Sequence, residues 1–180
     1  MKRWKRSGKM VVLGIDESYK QIGISVVRGN EIASGEILRV KSYNYKGLKS
    51  KTSKRRFVKK LVRHAIEKYN PEVIIVERIR TFSQRFISTN YIKATGALIA
   101  TIVDAAYPLK VYSADTRSWK SKVCGSSKGI KNGDKQVSVN FVKRRFGLEL
   151  DDDAADSLCI ALYGLNYKNF IQQKLLKIEE

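Results

Sequence analysis

Acidic residues occur at three places in this chain where neighbouring hydrophobic segments would bring them together. Asp16 and Glu77 each end a short apolar run. The third place is the segment 151–156, Asp-Asp-Asp-Ala-Ala-Asp, in which Asp153 and Asp156 are three residues apart and therefore share one face of a helix. These carboxylates are candidates for one shared acidic site.

A bound divalent cation is the natural partner for such a site. The helix after Asp156 is almost entirely apolar, and no lysine or arginine follows before Lys168, so a buried acid there needs another source of positive charge. The chain has one histidine, His64, and two separate cysteines, which leaves carboxylate oxygens as ligands for Mg²⁺ or Mn²⁺. Two such ions about 3.5–4 Å apart would hold the attacking water and the leaving oxygen of a phosphodiester.

Simpler explanations of the same acids stay open at this stage. A carboxylate near the start of a helix is favoured by the helix dipole, so the cluster at 151–156 could serve as a cap. Asp152 lies four residues before Asp156, and spacing alone permits it to replace Asp153. Asp16 and Glu77 could each merely end a strand beside solvent. Convergence of the acids is therefore a prediction that depends on the fold.

The elements that would position the acids form a mixed α/β sheet with helices on its faces. Apolar runs predict strands at 10–16, 22–28, 31–40, 73–77 and 110–113, with a Gly-Asn hairpin between the second and third. Apolar residues at helical spacing predict helices at about 52–69, 89–106, 134–146 and 153–165, the first capped by Thr52 or Ser53. The first two acids then stand at the carboxyl ends of strands, the edge at which open α/β sheets bind ligands.

Positive charge dominates the composition. Lysine and arginine total 36 against 17 acidic residues, which gives a formal charge of +19. This excess favours a nucleic acid, because neutralising phosphates releases counterions; plain solvation or a membrane surface is the alternative. The predicted DNA-binding residues are basic residues and the aromatic residues among them: Arg55, Arg56, Arg78, Arg80, Phe82, Arg85, Phe86, Arg117, Trp119 and Lys122.

Length, hydropathy and cysteine content limit the remaining classes. We expect residues 1–180 to form one domain, with a basic extension at 1–9 and a helical tail at 166–180. No apolar run approaches the ~20 residues that span a bilayer, and the basic start lacks the apolar segment of a signal peptide. With two cysteines and no CxxC pair, zinc is not expected, and the chain is predicted to be reduced, cytoplasmic and not secreted.

Three motifs together resemble the RuvC family of Holliday junction resolvases: Gly-Ile-Asp16, Val-Glu77 and Asp153-Ala-Ala-Asp156. The resemblance implies an RNase H-like fold, a five-stranded sheet in which an antiparallel three-strand meander joins parallel strands. It implies that the four acids are the catalytic ligands of two Mg²⁺ ions, with Mn²⁺ as a substitute. It further implies a homodimer that makes paired nicks in a four-way DNA junction.

The family also carries basic residues between its last strand and its acidic helix. The segments at 119–125 and 133–137 are similar to those stretches. The resemblance therefore implies that Lys120 and Lys135 are catalytic residues that contact the phosphate near the cut and stabilise developing negative charge. Their alternative role is that of two solvated lysines among many.

The chain departs from the family pattern at two places. Where the family has a base-stacking phenylalanine three residues after its second acid, this chain has Arg80, with Phe82 and Phe86 close by as alternative stacking residues. Glu17-Ser18 replaces the usual Pro-Gly after the first acid. These differences are typical of a divergent phage or viral-type member, which would act in an infected host cell.

Symmetry and competing activities complete the expectations. A junction with two-fold symmetry needs two opposed cuts, which implies a C2 dimer, and the helix at 89–106 is the expected interface because Gly96 and several alanines permit close approach. A ribonuclease acting on RNA–DNA hybrids and a non-catalytic nucleic-acid-binding module on the same fold are the alternatives. An actin-like ATPase is set aside because it needs about twice this length.

Overall fold

The computed structural model describes residues 8–18, 20–78, 89–125 and 136–166. Within these ranges the strands are β1 (Met10–Glu17), β2 (Gln21–Gly29), β3 (Glu36–Asn44), β4 (Val73–Glu77) and β5 (Val111–Ala114). The helices are α1 (Lys51–Tyr69), α2 (Thr89–Ala106), α3 (Thr116–Trp119), α4 (Gln136–Phe146) and α5 (Asp152–Gly164). A π-helical turn (the π-turn), Lys120–Cys124, follows α3 directly.

The strands form one mixed sheet in the order β3-β2-β1-β4-β5. β1, β2 and β3 are antiparallel neighbours, whereas β4 runs parallel to β1 and β5 runs parallel to β4. This arrangement confirms the predicted α/β class with its three-strand meander beside parallel strands. The β1–β4 register pairs Ile15 with Val76, so the next residues along, Asp16 and Glu77, arrive side by side at one edge of the sheet.

Helices cover both faces of the sheet, and the alternation of side chains along each strand decides which face a residue meets. On β1, Val12 packs in the cluster that includes α4 and α5, whereas Ile15 packs in the cluster with α1 and α2. Asp16 therefore points to the side of α5, and Glu77 does the same because Ile75, two residues before it, packs there. Two of the candidate acids are thus directed toward the helix that carries the other two.

The helix α5 lies directly on the backbone of β1 and β2, because glycines leave room for it. A Cβ atom on Gly14 would overlap the backbone nitrogen of Ala161, and one on Gly23 would overlap the carbonyl of Asp153. α5 is buried over most of its length. This close packing sets the first turn of α5 beside the end of β1.

The third strand differs from the prediction at both ends. β3 begins at Glu36 rather than at residue 31, because a 3₁₀ turn over Ile32–Ser34 occupies the hairpin loop. It continues past residue 40 to Asn44, because Asn44 still pairs with Gln21 on β2. A Gly-Asn pair predicts a tight hairpin, and the longer loop shows that strand pairing outweighed that local signal.

Helix starts also differ from the prediction by a few residues. Ser50 caps α1, rather than Thr52 or Ser53, and Ser50 and Ser53 bond reciprocally in a capping box. Asp151 caps α5, which starts at residue 152 rather than 153. β5 is followed by α3 and the π-turn.

Parts of the basic extension and of the helical tail lie outside the described residues, and so do residues 79–88 and 126–135. Among the helices that the structure describes, none combines the length and the apolar character needed to cross a bilayer.

Candidate active site

Four carboxylates converge at the edge where β1 and β4 end. Asp16 is buried, with 6% of its surface exposed. Glu77 follows Val76, the β4 residue that pairs with Ile15 on β1, so Glu77 lies beside Asp16. Burial raises the pKa of Asp16 well above its usual value. Repulsion from Glu77, Asp156 and Asp153 raises this pKa further, and Asp153 shares a hydrogen bond with Asp16. The four acids that the sequence predicts as one set lie within electrostatic reach of one another.

Asp156 on α5 is held from two sides. Ser138 on α4 is fully buried and donates a hydrogen bond to one carboxylate oxygen, and the Lys120 ammonium lies 3.9 Å from the other. Burial raises the pKa of Asp156 to about 7, although Lys120 and Ser138 both act to lower it. An arriving cation would favour the ionised form. Sequence reasoning missed Ser138, because no local signal pairs it with an acid eighteen residues away.

Trp119 supports Glu77 from within the core. Its indole Nε1 donates a hydrogen bond of 3.2 Å to Glu77 Oε1, and the ring is fully buried. The sequence predicts Trp119 as a DNA contact, but a ring with no exposed surface has no face to offer a base. That prediction is therefore corrected: Trp119 orients an acid of the site instead of contacting the partner.

Lys120 begins the π-turn and is only 7% exposed. Its ammonium lies 5.1 Å from the centroid of the Trp119 ring and 3.9 Å from an oxygen of Asp156. The structure thus places this predicted catalytic lysine beside an acid of the site, where its charge offsets part of the repulsion among the carboxylates. Lys135, the second predicted catalytic lysine, lies outside the described residues.

Capping and site roles within the aspartate cluster fall on different residues. Asp151 is the N-cap of α5 and accepts a hydrogen bond of 2.9 Å from the backbone nitrogen of Ala154. Asp153 is the residue whose charge and hydrogen bond act on Asp16. This geometry favours Asp153 over Asp152 as the third acid.

A fifth buried carboxylate, Glu17, lies next to the site on the opposite face of β1. Glu17 is 8% exposed, and the Tyr45 hydroxyl donates a hydrogen bond of 3.4 Å to it. Burial raises the pKa of Glu17 to about 9, although Tyr45 and Lys54 act to lower it. Glu17 is therefore protonated at neutral pH and adds no charge to the acidic group. Sequence reasoning missed its burial, although strand alternation signals that it faces away from Asp16.

The donor set has the chemistry of a hard divalent cation site. The four acids supply only oxygen donors, and a dication would relieve the burial and repulsion that oppose the ionisation of Asp16 and Asp156. As the side chains stand, no group of three or more histidine, cysteine, aspartate or glutamate residues within the described ranges is arranged to hold a metal ion. The residue types therefore fit Mg²⁺ or Mn²⁺, whereas a ligand cage would need the side chains to close around the ion.

Several predicted DNA-binding residues are described and exposed. They are Arg55, Arg56, Arg78, Arg117 and Lys122. Arg78 directly follows Glu77, so one of these cations adjoins the acidic edge. The other four, Arg80, Phe82, Arg85 and Phe86, lie outside the described residues. Contact of this set with DNA stays a prediction.

The predicted dimer helix, α2, packs against α1 within the chain. An ion pair of 2.7 Å between Lys59 and Asp104 joins the two helices at the surface. A Cβ atom on Gly96 would meet nothing within 4 Å, and Val103 and Tyr107 near the end of α2 are 36% and 85% exposed. α2 thus keeps apolar surface uncovered within the described part of the chain, and its role in a dimer stays a prediction.

The strand order and the placement of the acids define a class of fold. A mixed five-stranded sheet with acids at the ends of two parallel neighbours, and an acid pair on the helix packed across them, is the RNase H-like arrangement. The sequence model of the family described as crossover junction endodeoxyribonuclease RuvC matches residues 12–163. The chain belongs to this family, which confirms the resemblance drawn from the three motifs.

Solved structures with the same fold include two from that family. Thermus thermophilus RuvC in complex with a Holliday junction substrate aligns with a TM-score of 0.70 and 20% identity, covering 89% of this chain and 95% of that one. A further Thermus thermophilus RuvC structure aligns with a TM-score of 0.68, 20% identity and coverages of 89% and 96%. The yeast mitochondrial Holliday junction resolvase Ydc2 aligns with a TM-score of 0.57 and 23% identity, covering 91% and 84%. No curated protein sequence matches this chain significantly.

Proposed function

We propose that this chain is a divalent-metal-dependent endodeoxyribonuclease that resolves Holliday junctions and related branched DNA. The observation that carries the proposal is the convergence of four carboxylates, Asp16 buried and the other three partly buried, into one mutually repelling group. Membership of the RuvC family supports nuclease activity. The likeness to a RuvC structure that contains a Holliday junction supports branched DNA as the substrate class.

The acids and their neighbours have distinct roles in this proposal. The four acids would hold two Mg²⁺ ions, with Mn²⁺ as a substitute, and the bound ions would supply activation of water and stabilisation of the leaving oxygen of the phosphodiester. Ser138 and Trp119 keep Asp156 and Glu77 in position through their hydrogen bonds. Lys120 supplies positive charge that stabilises negative charge developing on the phosphate.

The remaining predicted residues hold the DNA. The exposed arginines and Lys122 bind the phosphate backbone, which positions the duplex arms without selecting sequence. Lys135 contacts the scissile phosphate, and Phe82 or Phe86 stacks on an unpaired base at the crossover. These roles follow from the family resemblance and from the charge of the chain.

Paired nicks require two such sites facing the two-fold axis of the junction. We therefore propose a homodimer with the exposed part of α2 in its interface. The proposed place of action is the cytoplasm, where a phage or viral-type member would meet branched DNA of its host.

The test compares the wild type with Asp16→Asn on a four-way junction, a Y-fork, a linear duplex and an RNA–DNA hybrid, each with Mg²⁺, Mn²⁺ or EDTA. We expect the wild type to make symmetric nicks confined to the junction with either metal and none in EDTA. Asp16→Asn should bind the junction normally and cut it at least about 1,000-fold more slowly.

The matched control is Glu149→Gln, an acid-to-amide substitution at an exposed acid that pairs with Lys143 on α4 and lies outside both the four acids and α2. It should cut like the wild type. Normal cutting by Asp16→Asn would refute the catalytic assignment, and preferential cutting of the hybrid would favour the ribonuclease alternative over a resolvase.

A further inference from the structure

The two cysteines of the chain meet where the π-turn packs against α5. Cys124 ends the π-turn and is partly exposed, whereas Cys159 on α5 is fully buried. Their sulfur atoms are 3.7 Å apart, and the Cys124 thiol donates a hydrogen bond to the Cys159 sulfur. They are separated by 35 residues in sequence, so the tertiary fold creates this contact.

Each cysteine shares its element with a residue of the acidic site. Cys124 lies four residues after Lys120 in the π-turn, and Cys159 lies one helical turn after Asp156 on α5. A covalent bond between the sulfurs would therefore tie the element that carries Lys120 to the one that carries Asp156. No role in the proposed hydrolysis uses either thiol.

We propose that Cys124 and Cys159 form an oxidation site that a hydroperoxide converts into a disulfide, and that this disulfide slows DNA cleavage. The Cys124 sulfur, as thiolate, attacks one peroxide oxygen; the O–O bond breaks, hydroxide leaves, and Cys124 becomes a sulfenic acid. The Cys159 sulfur then attacks the Cys124 sulfur, the S–O bond breaks, and the hydroxyl leaves with the Cys159 proton as water. Two electrons pass from the sulfurs to the peroxide, and two thiols and one hydrogen peroxide yield a disulfide and two waters.

The different exposure of the two cysteines sets the order of the steps. The partly exposed Cys124 is open to a small oxidant, whereas Cys159 is closed off by the core. Contact with Cys124 and burial both raise the pKa of the Cys159 thiol, which keeps it protonated until Cys124 has reacted.

Disulfide formation must move the π-turn. Bonded sulfurs lie about 2.05 Å apart, so the present contact has to shorten by roughly 1.7 Å. Cys159 is enclosed by the core, so the π-turn takes up most of the movement, and the 3.9 Å contact between Lys120 and Asp156 changes with it. Displacements of about 1 Å at such sites lower rates by up to about 100-fold, and we expect oxidised protein to cut at least about tenfold more slowly while binding the junction as before.

This effect on cleavage rests on the proposed nuclease function, and the experiment separates the two ideas. Full-length reduced protein is treated with hydrogen peroxide, and free thiols are counted in denaturant before and after. Peptide mapping without reductant then identifies any cross-link. Junction cutting and junction binding are measured before oxidation, after it, and after dithiothreitol.

The expected result is loss of both free thiols, a Cys124–Cys159 cross-link within a chain of monomer size, slower cutting, and recovery with dithiothreitol. Cys124→Ser and Cys124→Ala should cut normally when reduced and should resist peroxide; both changes are at a partly exposed position, so they spare the core around Cys159. Absence of the cross-link would overturn the oxidation site, even in protein with no nuclease activity. A cross-link that leaves cutting unchanged would overturn its control of cleavage.

Discussion

Replacing Asp156 by asparagine should stabilise the metal-free protein, and the gain should depend on pH. Burial raises the pKa of Asp156 from 3.8 to about 7. Between these values the native state holds a proton that the unfolded state has lost, so stability falls as pH rises. About three pKa units at roughly 1.36 kcal/mol each correspond to about 4 kcal/mol. Asparagine is neutral in both states and escapes this loss, although it weakens the contact with Lys120, so we expect a gain of about 2–4 kcal/mol above neutral pH.

Denaturant unfolding in EDTA at about pH 4 and about pH 8 measures this effect. We expect Asp156→Asn and the wild type to differ little at the lower pH, and the variant to have the larger free energy of unfolding at the higher pH. Adding Mg²⁺ at the higher pH should then stabilise the wild type far more than the variant. A ligand stabilises the native state that binds it, and the variant lacks one of the four proposed carboxylate ligands.

The control for this measurement is Asp104, whose pKa is shifted in the opposite direction from that of Asp156. The hydrogen bond and charge of Lys59 lower the pKa of Asp104, so its ionised form stabilises the native state, and Asp104→Asn should not gain stability as pH rises. If Asp156→Asn is no more stable than the wild type at the higher pH, burial and repulsion do not oppose the ionisation of Asp156 in the native state, and the argument is refuted.

Two further changes test the residues that support the acids. Ser138→Ala removes a hydrogen bond that lowers the pKa of Asp156, so we expect the acid side of the pH–rate profile for junction cutting to move up by about one pH unit; an unmoved profile would contradict this role. Trp119→Phe keeps most of the packing but removes the N–H that bonds Glu77, so single-turnover cutting should fall about tenfold with unchanged junction affinity. If a loss of thermal stability accounts for the whole decrease in cutting rate, the role of Trp119 is packing alone.

Local pattern was sufficient to predict the elements that carry the acids. β1 and β4 are short apolar runs of the kind expected for strands buried on both faces, and each ends in an acid. The spacing of Asp153 and Asp156 on one helix follows from helical geometry. Each of these predictions depends on residues within a single element, where side-chain periodicity is set by the backbone itself.

Boundaries were less predictable, because partners outside the element decide where it ends. β3 runs on to Asn44 since Gln21 on β2 is there to pair with it. α1 starts one residue after Ser50, because the side chains of Ser50 and Ser53 each accept a hydrogen bond from the other residue's backbone N–H. Several residue types at 50–53 are competent caps, and local sequence alone does not choose between them.

The sequence by itself determined which carboxylates could form a site and on which elements they would stand. Only the tertiary structure decided what surrounds them: that Trp119 is buried beneath Glu77, that Ser138 reaches Asp156, and that the two thiols touch. These contacts join elements far apart in the chain, and the two made by α5 depend on how closely that helix approaches the sheet over Gly14 and Gly23. Periodicity carries information about one element at a time, whereas such contacts arise from the distance and orientation between packed elements.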